Sequence, residues 1–211
     1  MTYSQIIVII TNNFSNTFKQ FCKMRKHHFL LTTVIFLNIS TKQISAHPHL
    51  FIDVAMKFIL SDSGLSGIYT YWSIDEMNSA QIIDYYDTNR NGTFEKKELI
   101  QILKFTLPNI QDMTTISWGL DFCDLQKVEK FNAVIKNKVT VVYSFFIPCN
   151  IRLKEINDKE ITVFFEDPTI FIAFDLKKDL IQVSSNEYIN STVTFGKIDY
   201  TEAVILHLKR K

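Results

Sequence analysis

Residues 87–98 read Asp-Thr-Asn-Arg-Asn-Gly-Thr-Phe-Glu-Lys-Lys-Glu, and this stretch limits the fold more than any other part of the chain. A calcium-binding loop of twelve residues has oxygen ligands at positions 1, 3, 5, 7, 9 and 12, with Gly at position 6 for a sharp turn. The ligand positions here hold Asp87, Asn89, Asn91, Thr93, Glu95 and Glu98, and Gly92 occupies the turn. The sequence therefore predicts a Ca²⁺ site, and a polar turn without an ion is the alternative.

The sequence on both sides of this loop predicts helices. Ser73 and Glu76 have the spacing of a capping box, and apolar residues recur at helical spacing up to Tyr86. The second helix is indicated by Leu99, Ile100, Leu103 and Phe105, and we expect Pro108 to end it. We therefore predict an EF-hand-like helix-loop-helix insertion at residues 73–107.

Short β-strands account for the remainder of the chain after residue 46. Apolar and polar residues alternate from His49 to Leu60, and residues 67–72 return as a second strand after a turn at Asp62-Ser63-Gly64. Further strands are predicted at 114–118, 121–131, 139–147, 161–165, 169–174, 180–183, 191–195 and 203–208, with Pro148 ending the third of these. This pattern favours an α+β fold, mainly an antiparallel β sandwich or bent sheet, with the helix pair inserted between strands of that sheet.

The composition of residues 1–46 predicts an N-terminal leader. They contain five Lys and Arg residues but no Asp or Glu, and the apolar run at 29–39 is followed by Ile-Ser-Ala at 44–46. We interpret residues 24–46 as a cleavable signal peptide and residues 1–23 as an upstream extension, with translation starting at Met24. This run of eleven residues, interrupted by Thr32, Thr33 and Asn38, is too short to span a bilayer easily, so an uncleaved anchor is the less favoured alternative. The predicted location is the periplasm or the exterior of the cell.

Cleavage after Ala46 would leave residues 47–211 as a single β-rich domain. The mature chain would have 18 basic and 22 acidic residues, a formal charge of −4, and it has no basic patch typical of nucleic-acid binding. No segment that could span a membrane follows the leader.

Cys123 and Cys149 would be the cysteines of the mature chain, because Cys22 lies in the leader. In an oxidising compartment these two residues could form a disulfide. Two buried free cysteines are the alternative.

His47 would become the first residue after cleavage, followed by Pro48 and His49. A terminal amine and two imidazoles can bind Ni²⁺, Co²⁺, Cu²⁺ or Zn²⁺. The alternative is that both histidines form local hydrogen bonds at the start of the strand, since two are fewer than most transition-metal sites use.

Catalytic motifs are missing from the sequence: there is no Gly-x-Ser-x-Gly, Walker loop, Gly-x-Gly-x-x-Gly or His-Glu-x-x-His. Glu166 and Asp167 could act as acid and base, but an acidic pair before Pro168 is more typical of a turn. We expect a protein that is not an enzyme.

Three segments and the loop together carry a family resemblance. Ala-His-Pro-His-Leu-Phe-Ile-Asp at 46–53, Tyr-Trp-Ser-Ile-Asp-Glu at 71–76, the loop at 87–98, and Glu-Asp-Pro-Thr-Ile-Phe-Ile-Ala-Phe at 166–174 resemble, in that order, the bacterial family of unknown function numbered 1007. The resemblance implies a periplasmic component of an uncharacterised ABC-type transport system. It also implies an association with nickel/cobalt-type exporters, which favours a metal role for His47 and His49.

These observations lead to two main hypotheses. The first is a periplasmic metal-binding accessory protein with one calcium loop and a membrane transporter component as its partner. The second is a structural interaction module whose calcium-ordered helices dock a membrane partner without any transition-metal role. A hydrolase is a third, less favoured hypothesis, because no pair of nucleophile and base is visible.

Overall fold

The computed structural model describes residues 49–117, 123–156 and 159–211, which form nine β-strands, two α-helices and two short 3-10 helices. In chain order the main elements are β1 Leu50–Ser61, β2 Gly64–Ile74, α1 Glu76–Tyr86, α2 Lys96–Met113, β3 Thr114–Ser117, β4 Glu129–Lys136, β5 Thr140–Arg152, β6 Lys159–Phe165, β7 Ile172–Val183, β8 Ile189–Ile198 and β9 Thr201–Arg210. The predicted α+β class, dominated by strands, is confirmed.

β1 and β2 form an antiparallel hairpin that turns at Asp62 and Ser63. The buried face of β1 consists of alternate residues, Ile52, Val54, Met56, Phe58 and Leu60, as the sequence pattern predicted. Gly64 begins β2 with a φ of +132°, and a Cβ atom there would lie 1.9 Å from the carbonyl oxygen of Ile151. Only glycine allows this close approach of β2 to β5.

The first sheet has five strands in the order β4-β5-β2-β1-β7. Its neighbouring strands are antiparallel except for β1 and β7, which are parallel. Parallel neighbours need a long connection, and β7 therefore joins β1 only after the chain has formed both helices and β3 to β6. β7 is one strand where two were predicted, and a register shift opposite Val54 and Met56 accommodates its extra residues.

The second sheet is antiparallel and has the order β3-β6-β9-β8. Both sheets contribute to one hydrophobic core. Trp72 of β2 connects them: its ring lies 5.3 Å from Phe145 in the first sheet and 6.0 Å from Phe165 in the second, edge-on in both contacts. Such aromatic packing adds to the stability gained from buried area alone.

The two helices connect the two sheets, because β2 belongs to the first sheet and β3 to the second. The predicted insertion between strands of one sheet is therefore wrong, and so is the predicted helix end at Pro108. α2 continues through Pro108 to Met113 because Ile102, Thr106 and Ile110 bury one continuous face.

Neither described helix is long and apolar enough to cross a membrane.

Pro148 also does not end its strand, since β5 continues to Arg152. Pro148 lies opposite Gly67, next to a register shift between β2 and β5. A proline without an N–H group is tolerated at such an irregular position.

A disulfide joins Cys123 to Cys149 of β5, and the two residues form an isolated antiparallel bridge. The bond connects the segment before β4 to β5, the strand next to the β4 edge of the first sheet. The separation of 26 residues means that the crosslink removes considerable freedom from the unfolded chain.

We expect replacement of both cysteines by serine to lower the free energy of unfolding by about 3 kcal/mol, because the unfolded chain gains the freedom of that closed loop. Urea denaturation of the double variant and the native chain would measure the difference. An unchanged free energy of unfolding would contradict this expectation.

Candidate functional site

The two helices flank the loop in which the sequence predicts oxygen ligands. α1 ends at Tyr86, Asp87 is its C-cap, and α2 begins at Lys96 with Glu95 as its N-cap. Phe94 anchors the loop in the hydrophobic core, with 8% of its surface exposed. This anchor was not predicted from the sequence, although Phe94 is apolar within an otherwise polar loop.

The first half of the loop folds around Asp87, which is only 5% exposed. The carboxylate of Asp87 accepts hydrogen bonds from the N–H groups of Asn91, at 3.1 Å, and Gly92, at 2.9 Å. Gly92 has a φ of +78°, a conformation that favours glycine. The predicted sharp turn therefore lies at Gly92 and directs backbone N–H groups towards the first predicted ligand.

Glu98 connects the two ends of the loop from the first turn of α2. Its Oε1 atom accepts hydrogen bonds from the N–H and hydroxyl groups of Thr88, and its Oε2 atom accepts one from the N–H of Glu95. The Glu95 N–H, aided by the Thr88 donors, holds the pKa of Glu98 below its usual value despite some desolvation. Glu98 is thus ionised at neutral pH although the residue is only 6% exposed.

The remaining predicted ligands form one hydrogen-bonded network at the exposed side of the loop. The amide nitrogens of Asn89 and Asn91 donate to the same Glu95 oxygen, at 3.1 and 3.0 Å. The Asn91 side-chain oxygen accepts from the N–H and hydroxyl of Thr93, and the Asn89 oxygen accepts from the N–H of Asn91. The structure thus brings all six predicted ligand residues together.

The donor chemistry of this loop suits a hard cation, because its side chains and backbone provide only oxygen ligands. In the described part of the chain, neither Asp87 nor Glu98 forms an ion pair with Lys, Arg or His. No three His, Cys, Asp or Glu side chains of the described residues form a group that could hold a metal ion. The fit therefore depends on the Asn side chains and the Thr93 carbonyl as well as on carboxylates.

An open groove of about 790 Å³ lies beside the loop, between α1 and the turn that joins β4 to β5. It is lined by Asp84, Asp87, Asn91, Gly92, Lys138 and Val139, among others. Solvent therefore reaches the first half of the loop through this groove.

His49 lies at the start of β1, and its imidazole is exposed. The backbone N–H of His49 donates to the carbonyl of Phe171 at 2.9 Å, and the backbone carbonyl of His49 accepts from the Asn78 side chain at 2.9 Å. The imidazole ring lies 5.3 Å from the Phe171 ring. His47, the second histidine of the predicted metal pair, lies outside the described residues. The backbone of His49 is thus attached both to α1 and to the segment that leads into β7.

Asp75 joins β1 to the start of α1. Its carboxylate accepts from the N–H groups of Phe51 and Asn78, both at 3.0 Å, and from the Asn78 side chain at 2.9 Å. Burial by itself would raise the pKa of Asp75, but these hydrogen bonds outweigh it and hold the pKa below its usual value. The N-cap of α1 is therefore Asp75, and the capping box predicted from Ser73 is wrong.

Asp167 performs a similar role before β7 and is only 7% exposed. Its carboxylate accepts from the N–H and hydroxyl of Thr169 and from the N–H groups of Phe171 and Ile172. Burial raises the pKa of Asp167, but these hydrogen bonds, first from the Thr169 hydroxyl, hold it below its usual value. Ile170 has a φ of +59°, which is strained for a β-branched residue and persists because Asp167 fixes its surroundings.

The parts of segments 46–53, 71–76 and 166–174 that the structure describes meet at this junction, defined as His49, Phe51, Asp75, Asn78, Asp167 and Phe171. From the sequence, Glu166 and Asp167 were weighed as an acid and base pair and favoured as a turn, and no role was predicted for Asp75 or Asn78. The Asp-Pro-Thr sequence at 167–169 was the available signal for a side-chain-stabilised turn.

His207 lies on the outer face of the second sheet, between a carboxylate and a hydroxyl group. Its Nδ1 atom is 3.0 Å from Glu160, and its Nε2 atom is 2.7 Å from the Thr194 hydroxyl. These residues lie on the neighbouring strands β6, β9 and β8, and both Glu160 and Thr194 are exposed. We interpret the group as cross-strand hydrogen bonding on an open sheet surface.

The match to a protein family covers most of the chain. A family model described as "Protein of unknown function (DUF1007)" matches residues 32–196, or 165 of the 211 residues. The matched range includes the loop and all members of the junction. No curated protein matches the chain.

We expect Asp167→Asn to lower the free energy of unfolding by about 1–3 kcal/mol at neutral pH, because an amide offers one acceptor oxygen in place of two. The folded-state pKa of Asp167 is lowered, so its stabilising contribution is present above the unfolded-state pKa of about 3.9 and is lost as the pH falls through the folded-state pKa. The difference between variant and native chain should therefore shrink below about pH 4.

Urea denaturation at a series of pH values would measure this difference. Glu166→Gln is the matched control, because the neighbouring Glu166 side chain is exposed. A difference of equal size at neutral pH and at about pH 3 would show that the Asp167 charge does not contribute in this way.

Proposed function

The chain belongs to the DUF1007 family of proteins of unknown function, and we propose that it is an exported accessory protein that binds calcium and assists a membrane transport system. Residues 87–98 would be an EF-hand-like calcium loop between α1 and α2. The observation that carries this proposal is the pair of buried carboxylates, Asp87 and Glu98, without a cationic partner in the described residues.

Two carboxylates removed from water are costly unless positive charge lies close to them. In this loop N–H and O–H groups provide partial compensation. Bound Ca²⁺ would supply the missing charge, held by Asp87, Asn89, Asn91, Glu95, Glu98 and the Thr93 carbonyl. The hydrogen bonds that connect these residues already hold their side chains in one region of the loop, which reduces the entropy lost on binding.

The composition of the loop favours weak calcium binding. Only Asp87, Glu95 and Glu98 are charged among the six ligand positions, and ligand charge is one determinant of affinity. Sites of millimolar affinity suit extracellular calcium concentrations better than cytosolic ones. The proposed calcium role and the proposed periplasmic or secreted location are therefore consistent with each other.

Two further observations support this location. The composition of residues 1–46 is typical of a signal peptide, with basic residues before an apolar run. The Cys123–Cys149 disulfide is a kind of bond that persists in oxidising compartments such as the periplasm.

The transition-metal part of the proposal depends on His47 and His49. Cleavage after Ala46 would leave a free amine and an imidazole on His47, two residues from the exposed imidazole of His49. Hydrogen bonds to Phe171 and Asn78 hold the His49 backbone, so the chain end would extend from a fixed point. Such an end could hand Ni²⁺, Co²⁺, Cu²⁺ or Zn²⁺ to a membrane transporter component of the nickel/cobalt or ABC type.

The exposed apolar side chains of the helices favour a second function. Met77 and Tyr85 of α1 and Ile100 and Phe105 of α2 are between 45% and 74% exposed. A contiguous exposed apolar patch is typical of a protein contact surface, and these four side chains would contribute to such a patch from both helices. The alternative is therefore an interaction module whose calcium-ordered helices dock a membrane partner, with histidines that bind no metal. We propose an enzymatic role in neither case.

We expect Glu98→Gln to weaken calcium binding by roughly tenfold or more, because it removes the charge of the bidentate ligand. Calcium at about 10 mM should raise the melting temperature of the native chain above its value in chelator, and this rise should be absent from the Glu98→Gln variant. Glu98 also accepts a hydrogen bond at the start of α2, so its substitution lowers stability even without calcium. The informative quantity is therefore the difference between the values with and without calcium, measured by calorimetry and thermal melting.

Lys97→Gln is the matched control, because Lys97 is exposed and adjacent but not a ligand. Asn91→Asp should act in the opposite direction and tighten binding, since it adds charge at a ligand position. A calcium-dependent rise that Glu98→Gln leaves intact would mean that the loop is not the site.

The metal-handling hypothesis predicts micromolar binding of Ni²⁺, Cu²⁺ or Zn²⁺ by protein that begins at His47, and loss of that binding when a Met residue precedes His47. The extension moves the free amine away from the two imidazoles, which weakens a site of so few ligands. Calorimetry on the two forms would measure the difference. Absence of binding by both forms would eliminate the hypothesis and leave the interaction module.

A further inference from the structure

The two sheets have four edge strands within the described residues: β4 and β7 in the first sheet, β3 and β8 in the second. An edge strand presents unpaired N–H and C=O groups that another strand can bind. Proteins prevent such pairing with short edge strands, bulges or charged side chains. An edge strand without these features is a candidate interface.

Three of the four edges have protective features. β3 contains four residues. β4 has a register shift after Glu129 and a φ of +51° at Lys130. β7 has a register shift opposite β1, and its charged residues are Asp175, Lys177, Lys178 and Asp179.

β8 is neither short nor interrupted by a bulge. It contains ten residues and pairs with β9 from Ile189 to Ile198 without a register shift. Lys197 is its one charged residue, and it contains no proline. The remaining residues are rich in Thr, Val, Ile and Phe, which favour extended strands. Its free edge is therefore long, straight and almost uncharged.

We propose that β8 is a dimer interface, at which two copies of this chain pair β8 antiparallel to β8 about a twofold axis at Thr192. The two four-stranded sheets would then form one continuous sheet of eight strands. In this register, the exposed Phe195 of each copy lies opposite Ile189 of the other, which is already buried in its own core, on the same face of the sheet. The apolar pair occurs twice because of the symmetry.

Charge complementarity identifies a second copy as the occupant. The same register, continued to the bend two residues before β8, would place Glu187 opposite Lys197 of the other copy, again twice. Both residues are exposed, and in the described part of the chain neither forms an ion pair. A segment with opposite charges at equal distances on either side of an uncharged centre is complementary to itself only in the antiparallel orientation.

The mass of the full chain in solution tests this proposal directly. Light scattering and analytical ultracentrifugation should detect a concentration-dependent dimer. Lys197→Glu should weaken dimerisation by about tenfold, because two exposed ion pairs become two contacts between like charges. The double variant Glu187→Lys/Lys197→Glu should restore the native dissociation constant.

Lys57→Glu is the charge-matched control, because Lys57 is exposed on the first sheet. The side chains of Lys57, Glu187 and Lys197 are all exposed, and circular dichroism would check that each variant is folded. A monomer at every concentration would overturn the proposal, and so would equal effects of Lys197→Glu and Lys57→Glu.

A cysteine substitution tests the register. Two Thr192 residues facing each other across antiparallel strands have Cα atoms about 4.5–5.5 Å apart, within the range of a disulfide. Under mild oxidation, Thr192→Cys should therefore form a covalent dimer. Thr115→Cys, exposed at the opposite edge of the same sheet, should remain uncrosslinked, as should the chain with neither substitution. All three forms carry Cys22→Ser, which removes the cysteine outside the Cys123–Cys149 disulfide. Equal crosslinking of both variants, or none at Thr192→Cys, would contradict the proposed register and interface.

Discussion

Carboxylates that accept several backbone N–H groups hold the proposed functional end of this protein together. Asp75 joins β1 to α1, Asp167 orders the turn before β7, and Glu98 joins the two ends of the loop. Each lies where a helix or strand begins and backbone N–H groups have no regular partner. The charge strengthens these hydrogen bonds, and the bonds in turn keep the carboxylates ionised. The positions of His49 and of the loop oxygens therefore depend on three acidic side chains.

Helix α1 connects the two parts of the proposed site. It begins beside Asp75, in the junction with His49, and ends at Asp87, the first residue of the loop. A helix of eleven residues is about 16 Å long and resists bending, so movement of the loop at one end would also move Asn78 near the other. Asn78 bonds the carbonyl of His49. The proposed calcium loop and the proposed metal-binding chain end are thus connected by one rigid element, whose exposed face carries Met77 and Tyr85.

Local sequence patterns predicted some features well because the cause of each feature is local. The alternation in β1 follows from its single buried face, and the two helices follow from apolar spacing around a polar loop with Gly92. Local rules for proline were wrong at Pro108 and Pro148. At Pro108, the buried face from Ile102 to Ile110 outweighs one missing hydrogen bond. At Pro148, a register shift between β2 and β5 makes the missing N–H harmless. Both outcomes depend on neighbouring elements that a local pattern does not describe.

The amino-acid sequence by itself determined the donor set of the loop, the strand and helix types of most segments, and the family resemblance, because these depend on residue type and short spacing. Only the tertiary structure decided that the helices connect two sheets, that β7 lies parallel to β1, and that Cys123 is bonded to Cys149. It also brought Asp75 and Asp167 into the same junction as His49, across more than a hundred residues of chain. The physical reason is that long-range pairing is selected by the total burial and hydrogen bonding of the whole molecule. No single segment contains that information.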